Sequence, residues 1–303
     1  MVYAQHPFYD FYYFEKYNIA AYQVEKFSTR NYNMFLSLCK DENGTLFMTS
    51  DINTEWVFRT YSATKMVMVA TFLLNNADYC MDKNVMVSVP YLLYYAAFSS
   101  ARAFLYASPF TETNNLDKLV TMTHSKVLKL VPDLIKNHFD KALGNKIDIL
   151  LNYLRNQREL FSYKFPASGI HAKINFDEIV DVCGLLVELA ELSSYKIQEV
   201  YEKKFTREMS KDFSWTSFNW EKLQNLYSYD VLQITGEELC WVDTDDWYRA
   251  DYIQRKIKHP TSIKFTMTEG MTEDFFGAWY NYEENGDDCF NPDANWNRIF
   301  PIP

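Results

Sequence analysis

From Thr54 to Lys211 the chain consists of long segments whose apolar residues return every three or four positions, with prolines at or between their ends. That period puts the apolar side chains on one face of a helix, and the face has to be buried against other helices. Five such segments follow one another. "TEWVFRTYSATKMVMVATFLLNN" reads as a helix with Thr54 as its N-cap. "PYLLYYAAFSSARAFLYASP" starts at Pro90 and ends before Pro109. "NNLDKLVTMTHSKVLKLV" is expected to break at Pro132 and to resume in "PDLIKNHFDKAL". "NKIDILLNYLRNQRELFSYKF" is stopped by Pro166 and Gly169, and "NFDEIVDVCGLLVELAELSSYKIQEVYEKKF" is the longest. Short connections between them predict a mostly α protein built on an antiparallel helical bundle over residues 54–211.

The flanks have a different character. Residues 1–53 form an aromatic-rich N-terminal extension in which "FYDFYYFEKY" shows neither a helical stripe nor alternation. Within it, "KDENGTLFMTSD" reads as a turn at Asn43-Gly44 between two short extended pieces. Residues 212–303 mix short helical and extended runs and are expected to form a small α+β or irregular acidic region. "DTDDWYRAD" gathers four aspartates but lacks the Gly turn and terminal Glu of a calcium loop, so a solvated acidic loop is expected. "NWNRIF" and "GAWYNYEE" carry aromatics with Arg298 as their single basic residue, which favours packing or a protein interface over base stacking.

Composition narrows the classes further. A content of 48% hydrophobic and 17% aromatic residues excludes disorder for the whole chain. Cys39, Cys80, Cys183, Cys240 and Cys289 are scattered and never form a CxxC pair, which argues against a disulfide framework or a zinc site and for a reducing, cytoplasmic compartment. "MVYAQHPFYD" has no basic leader followed by an apolar run, so no signal peptide is expected. Residues 85–107 are long enough to span a bilayer but contain Pro90 and Arg102, which reads as a buried central helix and not as a membrane segment. Gly-rich phosphate loops, GxSxG and HExxH are missing, and no cofactor or metal is expected. The net charge of −10 is uneven. Residues 212–303 hold 17 acidic and 7 basic side chains, whereas residues 100–173 hold 11 basic and 6 acidic ones. The whole-chain charge argues against an anionic partner, and the local charge of the basic middle does not.

Two helices place arginine on an apolar face. Advancing 100° per residue from Ile147, the residues Leu150, Leu151, Leu154, Phe161 and Phe165 fall on one stripe, with Arg158 near its middle and Arg155 on its flank beside Ser162. Arg102 sits inside the stripe of Tyr91, Tyr94, Tyr95, Phe98 and Leu105. Such a charge is either paired, with Glu159, Glu188 or Glu191 as candidate carboxylates, or it faces a cleft or dimer seam where an anion binds.

The succession "YYAAFSSARAFLYAS", "THSKVLKL" and "ILLNYLRNQRELFSYKFP" resembles the HEPN superfamily of helical bundles found in toxin–antitoxin and antiviral systems. The resemblance implies a homodimer whose paired motif helices form a metal-independent endoribonuclease site, with Arg, four to six residues, then His. Arg155 followed by Asn156 matches the start of that motif, but Leu160, Phe161 and Ser162 stand where the histidine is due. Counted from Arg158, the positions are Tyr163, Lys164 and Phe165, of which Tyr163 and Lys164 can offer hydrogen bonds in its place. His124 and His171 are further candidates to bind substrate, together with Arg102; His138 reads as solvated surface, and His6 and His259 lie in the flanks. The resemblance therefore implies an RNA- or nucleotide-directed protein of the toxin or phage-defence type, catalytic or silent. The competing expectation is a non-enzymatic scaffold whose arginines are core ion pairs and whose acidic C-terminal region docks a protein.

Overall fold

The structure is a computed structural model that describes residues 13–111, 116–167, 175–205, 230–231, 238–239, 243–279 and 289–300. His6, His171 and Cys240 lie outside the described residues. The described chain is mostly helical: α1 (Tyr13–Lys16), α2 (Ala21–Leu38), α3 (Ser50–Asp82), α4 (Val89–Ala107), α5 (Leu116–Val120), α6 (His124–His138), α7 (Lys141–Glu159) and α8 (Phe176–Val200). They are followed by α9 (Thr244–Lys256), α10 (Ile263–Thr266) and α11 (Glu269–Gly277). A two-residue antiparallel pair joins β1 (Asp230–Val231) to β2 (Glu238–Leu239). No helix among the described residues is long and apolar enough to cross a membrane.

Most of the helices open on a polar side chain that takes up one of the first-turn N–H groups. Asp140 Oδ1 accepts from Leu143 at 2.7 Å, Asn175 Oδ1 from Glu178 at 3.3 Å, and Asp243 Oδ1 from Asp246 at 2.9 Å. For α3 the cap is Thr49, whose Oγ1 accepts from Ile52 N at 3.2 Å, and not Thr54. The helix starts a turn earlier than expected, and Thr54 is fully buried inside it. The lead-in also holds more regular structure than expected, because residues 21–38 of the aromatic-rich extension form an 18-residue helix. Its Val24 and Phe27 belong to the main core, while Phe35 stacks on Tyr201 beyond α8. The Asn43-Gly44 turn forms, with Gly44 at φ +79, but what it joins is a single bridge, Lys40 to Leu46.

Pro132 lies inside α6 and does not end it. The helix runs on because Val127, Leu128, Val131 and Ile135 bury one face, which offsets the hydrogen bond that proline removes. The break falls instead at Thr121–Thr123, between α5 and α6. Against α6 packs α7, where Gly144 leaves no room for a side chain: a Cβ there would lie 2.9 Å from both Lys136 N and Pro132 O. Both α7 and α8 loosen at their ends into one π-helical turn, Leu160–Lys164 and Tyr201–Phe205. The first closes on Phe165 at φ +37, just ahead of Pro166.

The axis of the molecule is α3, which is buried on every side from Asn53 to Thr64. Beside it runs α4, whose Ala96, Ala97, Ser100, Ala101 and Ala103 are completely enclosed and allow close approach of the neighbouring backbones. Arg59 of α3 is wholly buried and grips the C-terminal end of α4. Its Nε donates to Tyr106 O at 2.8 Å, and Nη2 donates to Leu105 O at 3.2 Å and Ser108 O at 2.9 Å. Glu55 Oε1 stands 3.7 Å from Nη1, and the guanidinium lies 3.9 Å from the Trp56 ring centre. Burial brings the Arg59 pKa down to about 10, which leaves it charged at neutral pH.

The C-terminal helices are bolted to α3 by polar side chains. Asp246 is the chief bolt: it is buried, accepts from Tyr61 Oη at 2.7 Å and from Lys65 Nζ at 2.6 Å, and closes a capping box with Asp243. The expected solvated acidic loop is therefore the capped start of α9, where carboxylates meet the positive end of the helix dipole. Asn53 Nδ2 donates to Gln254 Oε1 and to Lys258 O, and Asn75 Nδ2 donates to Asn295 O. Of the aromatic segments, Phe300 is buried and Phe290 packs edge-on against Phe72 and Tyr79, whereas Trp279 and Trp296 stay exposed.

A candidate anion-binding face on three helices

Two of the sequence-derived candidates, from α6 and α7, meet at one pair of tyrosines on α4. On α4, Tyr94 and Tyr95 touch edge to face, with ring centres 5.1 Å apart. At the start of α6, the His124 ring lies parallel to Phe98 at 4.1 Å and to Tyr94 at 5.8 Å. Near the end of α7, the Arg158 guanidinium sits 5.4 Å from the Tyr94 ring centre and 5.8 Å from that of Tyr95. Cationic groups gain from such ring faces most where the water is partly displaced.

The hydrogen bonds divide the arginines into different roles. Arg158 Nη2 donates to Tyr95 Oη at 3.3 Å, a long bond, and the side chain is half-buried. Arg102 donates to Val120 O at 2.9 Å and to its own neighbour Tyr106 Oη, so it closes the end of α5. Arg155 faces Glu159 Oε1 at 3.9 Å, the pairing expected for it, and its Nε has no hydrogen-bond partner. The two other candidate carboxylates lie elsewhere. Glu191 accepts from Lys264 N at 2.9 Å, and Glu188 is buried with Oε2 unpartnered, so neither is an arginine partner. The reason is placement: both lie on buried positions of α8, facing α10 and α1.

His124 Nδ1 and Tyr94 Oη are 2.7 Å apart. Burial lowers the His124 pKa, and the charges of Arg158 and Arg102 lower it further, so the imidazole is neutral at pH 7. Burial also pushes the Tyr94 hydroxyl up to about 12, against the pull of Arg158 and Arg155. The pair thus holds one shared hydrogen bond between two neutral groups, and the outer ring nitrogen is the only one left to meet a ligand. Because the proton can lie on either side of the Tyr94 bond, Nε2 is a donor in one tautomer and an acceptor in the other.

The remaining candidates sit at the rim or away from it. Asn156 and Lys164 are exposed, and Tyr163 is exposed in the π turn near enough to act electrostatically on Arg158. His138, expected on the solvated surface, is half-buried: it stacks on Phe110 at 3.9 Å, and its carbonyl accepts from Arg30 at 2.7 Å. The cause is the end of α6, which turns that side chain back onto the loop after α4. His259 stacks over Tyr201 at 6.0 Å. Cys39, Cys80, Cys183 and Cys289 are free thiols, and no group of three His, Cys, Asp or Glu suited to a metal occurs among the described residues.

Sequence reasoning placed Tyr94, Tyr95 and Phe98 on a stripe without seeing that they carry His124 and Arg158. It missed Arg59 altogether, although Glu55 one turn earlier in an otherwise apolar run was an available signal. Two open clefts lie elsewhere among the described residues. One, of about 690 Å³, is between α9 and α11, and the other, of about 660 Å³, is between α7 and α8. No family model matches the chain, and neither a curated protein nor a solved structure matches it.

Proposed function

We propose that the face made by α4, α6 and α7 binds RNA or a nucleotide, on a bundle of HEPN-like type with a divergent motif. The observation that carries the reading is the convergence of His124 and Arg158 on the same two tyrosine rings. Arg158 uses one donor on Tyr95, and a guanidinium fork of five donors has others to offer to phosphate oxygens. Arg155 and Arg102 add positive charge at the edge, and residues 100–173 carry five more basic than acidic side chains. His124 and the tyrosines supply flat surfaces on which an unpaired base stacks, the usual partner of a backbone-binding arginine in single-strand recognition.

Cleavage is the second reading, and His124 favours it. The motif helix lacks its histidine, and His124 brings a neutral imidazole to Arg158 from another helix. In the tautomer with Nδ1–H donating to Tyr94, Nε2 accepts the proton of a ribose 2′-hydroxyl as its oxygen bonds to phosphorus. The P–O5′ bond breaks, the same proton passes to the departing oxygen, and Arg158 stabilises the charged phosphorane.

The test is fluorescence anisotropy with a labelled single-stranded RNA, beside cleavage of the same RNA in EDTA. Arg158→Ala is expected to weaken binding about tenfold, and an Arg155→Ala/Arg158→Ala pair to flatten its salt dependence by about two counterions. His124→Ala is expected to abolish cleavage while costing less in affinity. Wild-type affinity in the folded double variant would refute the binding reading. Cleavage surviving in His124→Ala would refute the second.

A further inference from the structure

The larger cleft lies at the opposite end of the sequence from the arginine face. Its walls are α9 and α11, with Phe265 of α10 at one end. Tyr248 and Tyr252, one turn apart on α9, are 67% and 56% exposed, and Phe265 is 62% exposed. Three of the large apolar side chains left in solvent therefore gather around a single groove, where scattered exposure would need no explanation. The floor is Ile253 and Met271, and Gly270 has open space where a Cβ would stand. Two carboxylates, Asp245 and Asp274, mark the rim. Arg249 crosses the groove to Asp274 at 3.0 Å, so the one lining cation is already neutralised.

We infer that this groove docks a short segment of a partner protein in which arginine or lysine alternates with aliphatic residues. Charge decides the kind of occupant. Asp245 leaves the lining negative once Arg249 and Asp274 are paired, and residues 212–303 carry 17 acidic against 7 basic side chains. An acidic ligand would be repelled, while a guanidinium or ammonium gains from both the tyrosine faces and the rim carboxylate. The aliphatic positions fill the Ile253–Met271 floor, and exclusion of water there strengthens the rim contacts.

A fluorescein-labelled decapeptide alternating leucine and arginine serves as the probe, with a leucine–glutamate peptide and single-stranded RNA as comparisons. Binding to the full chain is expected for the basic peptide, at least tenfold tighter than for the acidic one. Tyr248→Ala/Tyr252→Ala is expected to weaken it at least tenfold and Asp245→Asn about threefold, with circular dichroism unchanged because all three side chains are exposed. Tyr22→Ala, an equally exposed aromatic on α2, is expected to leave it unaltered. No binding, equal binding of the acidic peptide, or full affinity in the tyrosine variant would overturn the inference. So would RNA binding that disappears with the same two tyrosines.

Discussion

Replacing Arg59 with methionine tests whether the grip on the end of α4 is a main support of the fold. The change keeps most of the volume and removes the guanidinium from a site with no solvent access. Three carbonyls lose a donor, and Leu105 O keeps one, because Thr111 Oγ1 also donates to it at 3.2 Å. That leaves Tyr106 O buried without a donor, at about 1–3 kcal/mol, whereas Ser108 O keeps the 3.4 Å bond from Thr111 N. Glu55, 6% exposed, loses the cation that stands 3.7 Å from its Oε1. Together these effects predict a destabilisation of about 3–5 kcal/mol, the usual scale for breaking a buried charged pair on one side. Urea unfolding followed by circular dichroism measures it as a fall in midpoint at unchanged slope. Adding Glu55→Gln to Arg59→Met should recover part of the loss, since the stranded carboxylate is then absent. A single variant within about 0.5 kcal/mol of the wild type, which is ordinary for a surface position, would refute the argument.

Two further variants probe the interior. The Glu188 carboxyl, pushed up to about 9 by burial, with the charge of Lys16 pulling weakly against it, holds its proton in the folded protein. Stability from this group is full below its ordinary range near 4.5 and is lost as pH rises toward 9, because only the unfolded chain ionises in that window. Glu188→Gln should therefore flatten the stability profile between pH 5 and 9 and raise stability at pH 8 by on the order of 2 kcal/mol; an unchanged slope in a urea series would count against it. A shallower slope up to about pH 7 should persist, owing to Glu191, raised to about 7 mainly by burial. Gly144→Ala forces a Cβ against the backbone at Pro132 and Lys136 and should cost about 1–3 kcal/mol, read as a lower melting temperature; a neutral result would mean that α6 and α7 can slide apart.

The long helices were legible because their apolar period and their terminal prolines act locally. Pro90 at the start of α4 and Pro166 after α7 stand where the pattern put them. Pro132 misled for the same reason. Its local preference for ending a helix is overridden by a buried face that only the tertiary structure supplies. The C-terminal helices were hard to see because polar side chains tie them to α3. Asp246 looks like a solvent residue until Tyr61 and Lys65, about 180 positions earlier, are brought to it. In the candidate site, Arg158 and Arg102 stood out as charges within apolar stripes. Their different fates, one toward solvent and one onto a carbonyl at the end of α5, depend on contacts between helices and leave no trace in spacing.

The bolts between α3 and the C-terminal helices bear on how the chain is made. Asn53 finds its partner Gln254 across 201 positions, and Tyr61 finds Asp246 across 185. During synthesis α3 leaves the ribosome early, with one flank of polar groups and the seat for Ile263 and Phe276 still open. Contacts so distant in sequence close slowly, and an unfinished chain presents that flank until α9 has emerged. The nascent protein is then most in need of a chaperone after the bundle itself has been translated, not before.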